Sequence, residues 1–211
     1  MLRVLIADDH AIVRKGLKEI LLDEYPSAVI HEAKDAEVAI KFLITAEVDY
    51  DVVISDLSMP GRSGLDVLQH TKQNNPKLPV LILSIHPEEQ YAIRALKAGA
   101  AGYLSKDAAP EELVKAIQRV LLGRKYISAE IAEKMVTDMD VDNQKPLHEL
   151  LSDREFHVFQ RLADGKSVSE IAEQLSLSIN TVSTYRTRIL VKMDFKSNAD
   201  LTRYAIEKNI I

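Results

Sequence analysis

Apolar positions over the first 122 residues fall into two alternating rhythms. Short β-rich runs occupy Val4–Ala7, Val29–Ala33, Val52–Asp56, Val80–Ser84 and Gly102–Ser105, and the first, third and fourth are almost continuous Val, Ile and Leu. A strand covered on both faces reads this way, because neither side meets water. Helically spaced stretches lie between and after these runs, at about Ile12–Leu22, Asp35–Ala46, Gly64–Asn74, Glu88–Ala98 and Pro110–Leu122. In the last, Leu113, Ile117, Val120 and Leu121 form one apolar stripe. Pro110 suits its first turn, and Glu111 and Glu112 complement the positive end of the helix dipole. Five such units predict an α/β fold with a doubly wound, five-stranded parallel sheet.

Gly123 ends that pattern. Residues 123–146 read as a linker, with a short helical pattern around Ala129–Met139 and a polar, Pro-terminated run that suggests mobility near Asp140–Lys145. From Leu147 to Ile211 only helices are expected. Ser152-Asp-Arg-Glu155 is a capping box flanked by Leu151 and Phe156 at the staple positions, and Ser167-Val-Ser-Glu170 is a second. A turn over Ser176–Ile179 leads to a helix of about Asn180–Met193, and Ser197 or Asn198 caps a fourth. The organisation expected is therefore 1–122, a linker over 123–146, and an all-α four-helix domain over 147–211. Helix, short turn and helix over about Ser167 to Arg186 form a helix-turn-helix motif.

Composition narrows the function classes. The 211 residues include no cysteine, which removes disulfides and thiolate metal sites and fits a reducing cytosol. Met1–Ile6 run directly into Asp8 and Asp9 without a signal-peptide core, and no apolar run approaches the roughly 20 residues of a membrane span. A soluble, cytoplasmic protein with no membrane partner is expected. The net charge of −5 lies mainly in the front: residues 1–122 carry 14 Lys+Arg against 18 Asp+Glu, while residues 147–211 carry 9 of each. A basic face at the back remains compatible with those totals.

The strand ends carry the candidate chemistry. Asp8 and Asp9 follow the first run, Asp56 ends the third, Ser84 ends the fourth and Lys106 follows the fifth. Singly, each has an ordinary reading: a strand-end Asp caps a turn or helix, and a lone Lys is solvated. Jointly they occupy the edge where doubly wound sheets bind ligands. Converging carboxylates repel one another unless a cation is present, and Mg2+ suits a few such oxygens completed by phosphate and water. A carboxylate there can accept a phosphoryl group as an acyl phosphate, with Lys106 and Mg2+ neutralising charge and Ser84 donating a hydrogen bond. Gly61-Arg-Ser-Gly64 lacks the Gly-Lys-Ser/Thr ending of a nucleotide loop. The six histidines lack metal-ligand spacing, and His10 reads as a local surface residue beside the acids.

On the helix of about Asn180–Met193, Val182, Ile189, Leu190 and Met193 form the inward face. Ser183, Thr184, Thr187 and Arg188 form another, suited to base edges or phosphates, while Arg186, Lys192, Lys196 and Lys166 are placed to meet a nucleic-acid backbone.

Ile6-Ala-Asp-Asp-His10, Ile54-Ser-Asp-Leu-Ser-Met-Pro-Gly61, Leu81-Ile-Leu-Ser84 and Ala100-Ala-Gly-Tyr-Leu-Ser-Lys106 together resemble a two-component receiver domain. The resemblance implies that Asp56 is phosphorylated and that Asp8, Asp9 and Asp56, with the backbone carbonyl of Ser58, hold Mg2+. It further implies that Ser84 and Lys106 contact the phosphoryl group, and that the Tyr103 ring turns inward as Ser84 moves toward it. Leu151-Ser-Asp-Arg-Glu155, Leu162-Ala-Asp-Gly165, Glu170-Ile-Ala172 and Thr181–Leu190 with Lys192-Met193 resemble a LuxR-type domain. The combination is similar to NarL/FixJ response regulators, although Arg186 stands where many members carry an aliphatic residue. The expected function is a transcription regulator, not an enzyme. A sensor histidine kinase or phosphorelay protein supplies the phosphoryl group, and the active form is a homodimer on double-stranded promoter DNA. An α/β phosphohydrolase with Asp56 as nucleophile is the rival, but such enzymes place an acid two residues on, where this chain has Ser58. A degenerate receiver that ignores phosphorylation is the second rival, and the intact acid set opposes it.

Overall fold

The computed structural model describes residues 1–45, 49–85, 88–129, 131–133, 146–208 and 210–211, with only the backbone of 88–90 and 153. The chain forms two compact units, Met1–Asp140 and Val141–Ile211. The expected mobile run at Asp140–Lys145 and most of the helical pattern at Ala129–Met139 lie outside the described residues.

The first unit alternates β1 (Arg3–Ala7), α1 (Ala11–Glu24), β2 (Val29–Ala33), α2 (Ala36–Thr45), β3 (Val52–Asp56), α3 (Gly64–Asn74), β4 (Val80–Ser84), α4 (Glu88–Lys97), β5 (Gly102–Ser105) and α5 (Ala109–Leu121). The strands pair in parallel in the order β2-β1-β3-β4-β5. Every residue of β3 and β4 is buried, which explains their unbroken apolar sequence. Along β1, β3 and β4, Val4, Ile6, Val52, Ile54, Leu81 and Leu83 pack with Leu17 and Leu21 of α1 and Leu113 and Ile117 of α5. The intervening Leu5, Val53 and Ile82 are buried as well, on the opposite face by strand alternation.

Two glycines are demanded by close approach. At Gly64 a Cβ would overlap the Asp56 carbonyl oxygen and lie 2.8 Å from its carbon and 2.9 Å from the Ser55 hydroxyl, so α3 begins directly against the end of β3. At Gly102 a Cβ would stand 2.6 Å from the Tyr126 carbonyl oxygen. Tyr126 bridges to Gly102 in parallel, taking a hydrogen bond from Tyr103 N at 3.2 Å and donating its own N–H to Ala101 at 3.0 Å. Its hydroxyl donates to Glu112 at 2.5 Å, and Lys125 Nζ donates to the Ala100 carbonyl. Residues just beyond Gly123 thus pair with the sheet edge. A two-residue contact is too short to register as periodicity.

The second unit is helical: a 3-10 turn at Leu147–Leu150, then α6 (Asp153–Ala163), α7 (Val168–Gln174), α8 (Ile179–Lys192) and α9 (Asn198–Glu207). Both expected capping boxes form, with Ser152 N donating to Glu155 Oε2 at 2.7 Å and Ser167 N to Glu170 Oε2 at 2.8 Å. Leu151 and Phe156 are both buried, consistent with a staple. Phe156, Phe159 and Tyr204 form an aromatic chain with centroid separations of 5.9 and 6.3 Å, and Val182, Ile189, Ile171 and Leu201 fill the rest of the core. Helix α8 begins one residue earlier than its sequence pattern suggests. Ser178 is its cap, accepting from Thr181 N at 3.0 Å, and short polar cap signals overlap in a Ser-Leu-Ser turn.

Candidate phosphoryl-acceptor site and nucleic-acid interface

The register of the sheet assembles the acidic site. Ala7 pairs with Ser55, so Asp8, next along, emerges beside Asp56, and Leu83 pairs with Asp56, so Ser84 lies one step beyond it. Ser84 O accepts from Lys106 N at 2.8 Å, bringing the end of β5 to the same mouth. The Lys106 ammonium lies 2.7 Å from Asp8 Oδ2 and 3.0 Å from Asp56 Oδ2, with both carboxylates almost wholly buried. Ser58 N donates to Asp56 Oδ1 at 3.3 Å. Asp9 is partly exposed, Ser84 is fully buried, and the Tyr103 ring is 1% exposed, so it lies inward in this structure.

Electrostatics at this mouth are incompletely balanced. Burial, followed by the Asp8 charge, pushes the Asp56 carboxyl up to about 6, with Lys106 and the Ser58 N–H only partly offsetting the rise. Burial acts to lower the Lys106 ammonium, but hydrogen bonds and charge from Asp8 and Asp56 outweigh it and raise the group above the ordinary lysine value. One donor atom from each of Asp8, Asp9, His10 and Asp56 lies within 4.8 Å of all the others. Three hard carboxylate oxygens in need of positive charge suit a divalent cation.

Two side chains at this site make contacts that the sequence did not specify. Arg14 Nη1 donates to the Asp8 carbonyl at 2.7 Å, holding the turn after β1, with Glu32 Oε2 3.5 Å from its Nε. His10, expected as a surface residue beside the acids, turns its ring toward them, with Nδ1 2.9 Å from Asp9 Oδ1 and 3.3 Å from Asp8 Oδ1.

In the second unit, Ser183, Thr184, Thr187 and Arg188 are exposed on one side of α8, while Val182, Ile189 and Met193 are buried. The Thr184 and Thr187 hydroxyls donate to the carbonyls of Asn180 and Ser183 at 2.9 and 3.1 Å, leaving their lone pairs and methyls outward. Lys192 is half exposed, its Nζ 2.6 Å from the buried Glu155 carboxylate. Arg186 Nε donates to Asn198 Oδ1 at 2.7 Å, tying α8 to the start of α9. Lys166 and Lys196 are exposed.

Residues 4–118 match the response regulator receiver domain, and residues 149–205 match the bacterial regulatory proteins of the luxR family. The chain belongs to the response regulators. It is a two-component response regulator with a DNA-binding LuxR-type output domain. Response regulator UvrY of Escherichia coli K12 is 37% identical over 211 residues, spanning all of this chain and 96% of that protein. Response regulator GacA of Pseudomonas aeruginosa is 33% identical over 212 residues, covering all of this chain and 98% of its own. Among solved structures, RcsB from Salmonella enterica serovar Typhimurium, bound to promoter rprA in the presence of phosphomimetic BeF3−, superposes with a TM-score of 0.62 at 27% identity, over 97% of this response regulator and 98% of RcsB. Among the described residues, no helix is long and apolar enough to cross a membrane.

Proposed function

We propose that phosphorylation of Asp56 switches this response regulator between states that differ in promoter binding through the helix at 180–193. The observation that carries the reading is the Lys106 ammonium shared between Asp8 and Asp56 at 2.7 and 3.0 Å. It is a largely enclosed cation, 10% exposed, held beside a carboxylate whose affinity for a proton burial raises.

An Asp56 oxygen attacks the phosphorus of a phosphohistidine on a sensor kinase or phosphorelay protein, or of a small phosphodonor. The new O–P bond forms as the donor's P–N or P–O bond breaks, and the leaving group departs with that electron pair. Asp8, Asp9, Asp56 and the Ser58 carbonyl would hold Mg2+, which when bound would supply positive charge against the phosphoryl group. Lys106 exchanges its carboxylate partner for a phosphoryl oxygen, and Ser84 donates its hydroxyl to another. Ser58 offers no carboxylate to activate water, so the acyl phosphate persists, and the protein acts as an acceptor with at most slow loss of its own phosphoryl group. The new charge re-pairs Lys106 and Ser84 and biases the packing of Tyr103.

The functional division is a receiver at 1–122, a linker at 123–146 and a DNA-binding domain at 147–211. Ser183, Thr184, Thr187 and Arg188 meet base edges or phosphates, and Lys192 adds backbone charge where Glu155 releases it. The active form is a homodimer on paired half-sites, which offsets the modest charge of a single output domain. The protein works in the cytoplasm.

Incubation with acetyl phosphate and Mg2+ should add one phosphoryl mass to the intact chain, and Asp56→Asn should add none. Retained phosphorylation in that variant would reject the acceptor assignment.

A further inference from the structure

We propose that His10 is a further protein ligand of the cation site, and that it biases the site toward Mn2+ over Mg2+. This rests on the reading of Asp8, Asp9 and Asp56 as the cation-binding carboxylates.

The ring is held at the mouth from both ends. The His10 backbone N–H donates to Asp8 Oδ1 at 2.8 Å, which fixes where its Cα sits. Its Nδ1 then lies 2.9 Å from Asp9 Oδ1 and 3.3 Å from Asp8 Oδ1. A surface histidine that merely followed two acids in sequence would be free to point away along α1. The dimensions suit a single ion. Four donor atoms, one from each of Asp8, Asp9, His10 and Asp56, lie within 4.8 Å of one another. Ligands opposite each other around an octahedral Mg2+ stand about 4.2 Å apart, from metal–oxygen distances of roughly 2.1 Å. The set is thus gathered on the scale of one coordination shell, and closing it around an ion asks for an inward adjustment of the donors. The His10 side chain is 64% exposed, so no packing opposes that adjustment.

The donor type decides the selectivity. Mg2+ holds oxygen ligands and waters and gains little from an imidazole nitrogen. Mn2+ accepts carboxylate oxygens equally well, and later first-row divalent ions bind nitrogen donors progressively better. An imidazole added to three carboxylates converts an all-oxygen site into a mixed nitrogen–oxygen one. The Nδ1 that now faces Asp9 is the atom that would bind, so ligation replaces that contact and its proton passes to Nε2 or to solvent.

The test uses the full chain with Mn2+ and Mg2+ alone, without phosphodonor. Mn2+ bound to the wild type should show electron spin-echo modulation from a directly coordinated imidazole nitrogen. His10→Gln should abolish that modulation and lower the Mn2+-over-Mg2+ affinity ratio. Asp9→Asn should weaken both ions together. Mn2+ bound by the wild type without nitrogen coupling, or an unchanged ratio in His10→Gln, overturns the role of His10 while leaving the carboxylate site standing. Failure of the wild type to bind either ion, or undiminished binding in Asp9→Asn, overturns the carboxylate site and this inference with it.

Discussion

Gly64 packs so tightly on Asp56 that any side chain at the start of α3 would overlap the Asp56 carbonyl, with the carbonyl carbon 2.8 Å from the added Cβ. The Gly64 N–H also donates to Leu57 O at 3.0 Å, so the helix cannot retreat without losing a hydrogen bond. Gly64→Ala should therefore lower stability by about 1–3 kcal/mol, the usual cost of overpacking a filled site. Because the obstruction is the backbone of Asp56 itself, the rate of labelling by acetyl phosphate should fall too. Urea unfolding and labelling rates check both; an unchanged urea midpoint would mean that α3 shifts at no cost.

Asp56 also sets a pH dependence. Burial and the Asp8 charge push its carboxyl up to about 6, from an ordinary value of 3.8. The folded state thus holds the Asp56 proton more tightly than the unfolded chain. Stability contributed by this group is highest below pH 3.8, falls between 3.8 and about 6, and is level above that. The gap of roughly two pH units corresponds to at most about 3 kcal/mol. Asp56→Asn removes the ionisation, so the variant should exceed the wild type in stability at pH 7.5 and match it near pH 4. Mg2+ should shrink the difference at pH 7.5 by stabilising the wild type. Urea midpoints across pH measure this, and a variant less stable at pH 7.5 would show that Lys106 more than compensates the burial of the charge.

The strands and their chemical ends were legible because a doubly covered parallel strand must be apolar throughout. Val52–Asp56 and Val80–Ser84 are buried at every position, so an Asp or Ser closing such a run stands out. Helix starts were legible at the capping boxes of Ser152 and Ser167, but not at Ser178, where cap signals overlap in a Ser-Leu-Ser turn. Arg14 gripping the Asp8 carbonyl, Tyr126 pairing with Gly102, and Lys192 reaching Glu155 across 37 positions were not. Those contacts depend on tertiary placement, and a charged or aromatic residue on a helix or loop looks the same in sequence whether solvated or docked.

Glu155 shows what one such contact implies for the output domain. Its carboxylate accepts from Lys192 Nζ at 2.6 Å, Ser152 N at 2.7 Å and the Ser152 hydroxyl at 2.9 Å. Burial acts to raise the carboxyl, but these donors prevail and hold it below the ordinary value. A depressed carboxylate contributes stability that is full above its unfolded value of 4.5 and lost as pH falls through the folded one. Glu155→Gln should cost about 1–3 kcal/mol at pH 7, as expected for charged hydrogen bonds, and progressively less below pH 4. Hydrogen exchange at the amides of α6 and α8 in the full chain localises the effect. Equal exchange in wild type and variant at pH 7 would remove the pair from the account of how α8 is held.

The exposed threonines of α8 allow base reading and phosphate binding to be separated. Thr184 and Thr187 donate their hydroxyl protons to Asn180 and Ser183, so toward a groove they present lone pairs and methyl groups. That chemistry accepts from the amino groups of adenine or cytosine, or packs on a thymine methyl, whereas a phosphate needs a donor. Thr184→Val and Thr187→Val keep the β-branch and the methyl contact while deleting the lone pairs. Each should weaken binding to the cognate operator by about 1–3 kcal/mol where the hydroxyl reads a base, with non-specific affinity and its salt slope retained. Arg188→Gln on the same face should instead weaken all sequences if it meets phosphate, lowering the salt slope by about one counterion. Fluorescence anisotropy with operator and scrambled duplexes at several salt concentrations measures both effects. Full operator affinity in the double threonine variant would reject α8 as the base-reading helix.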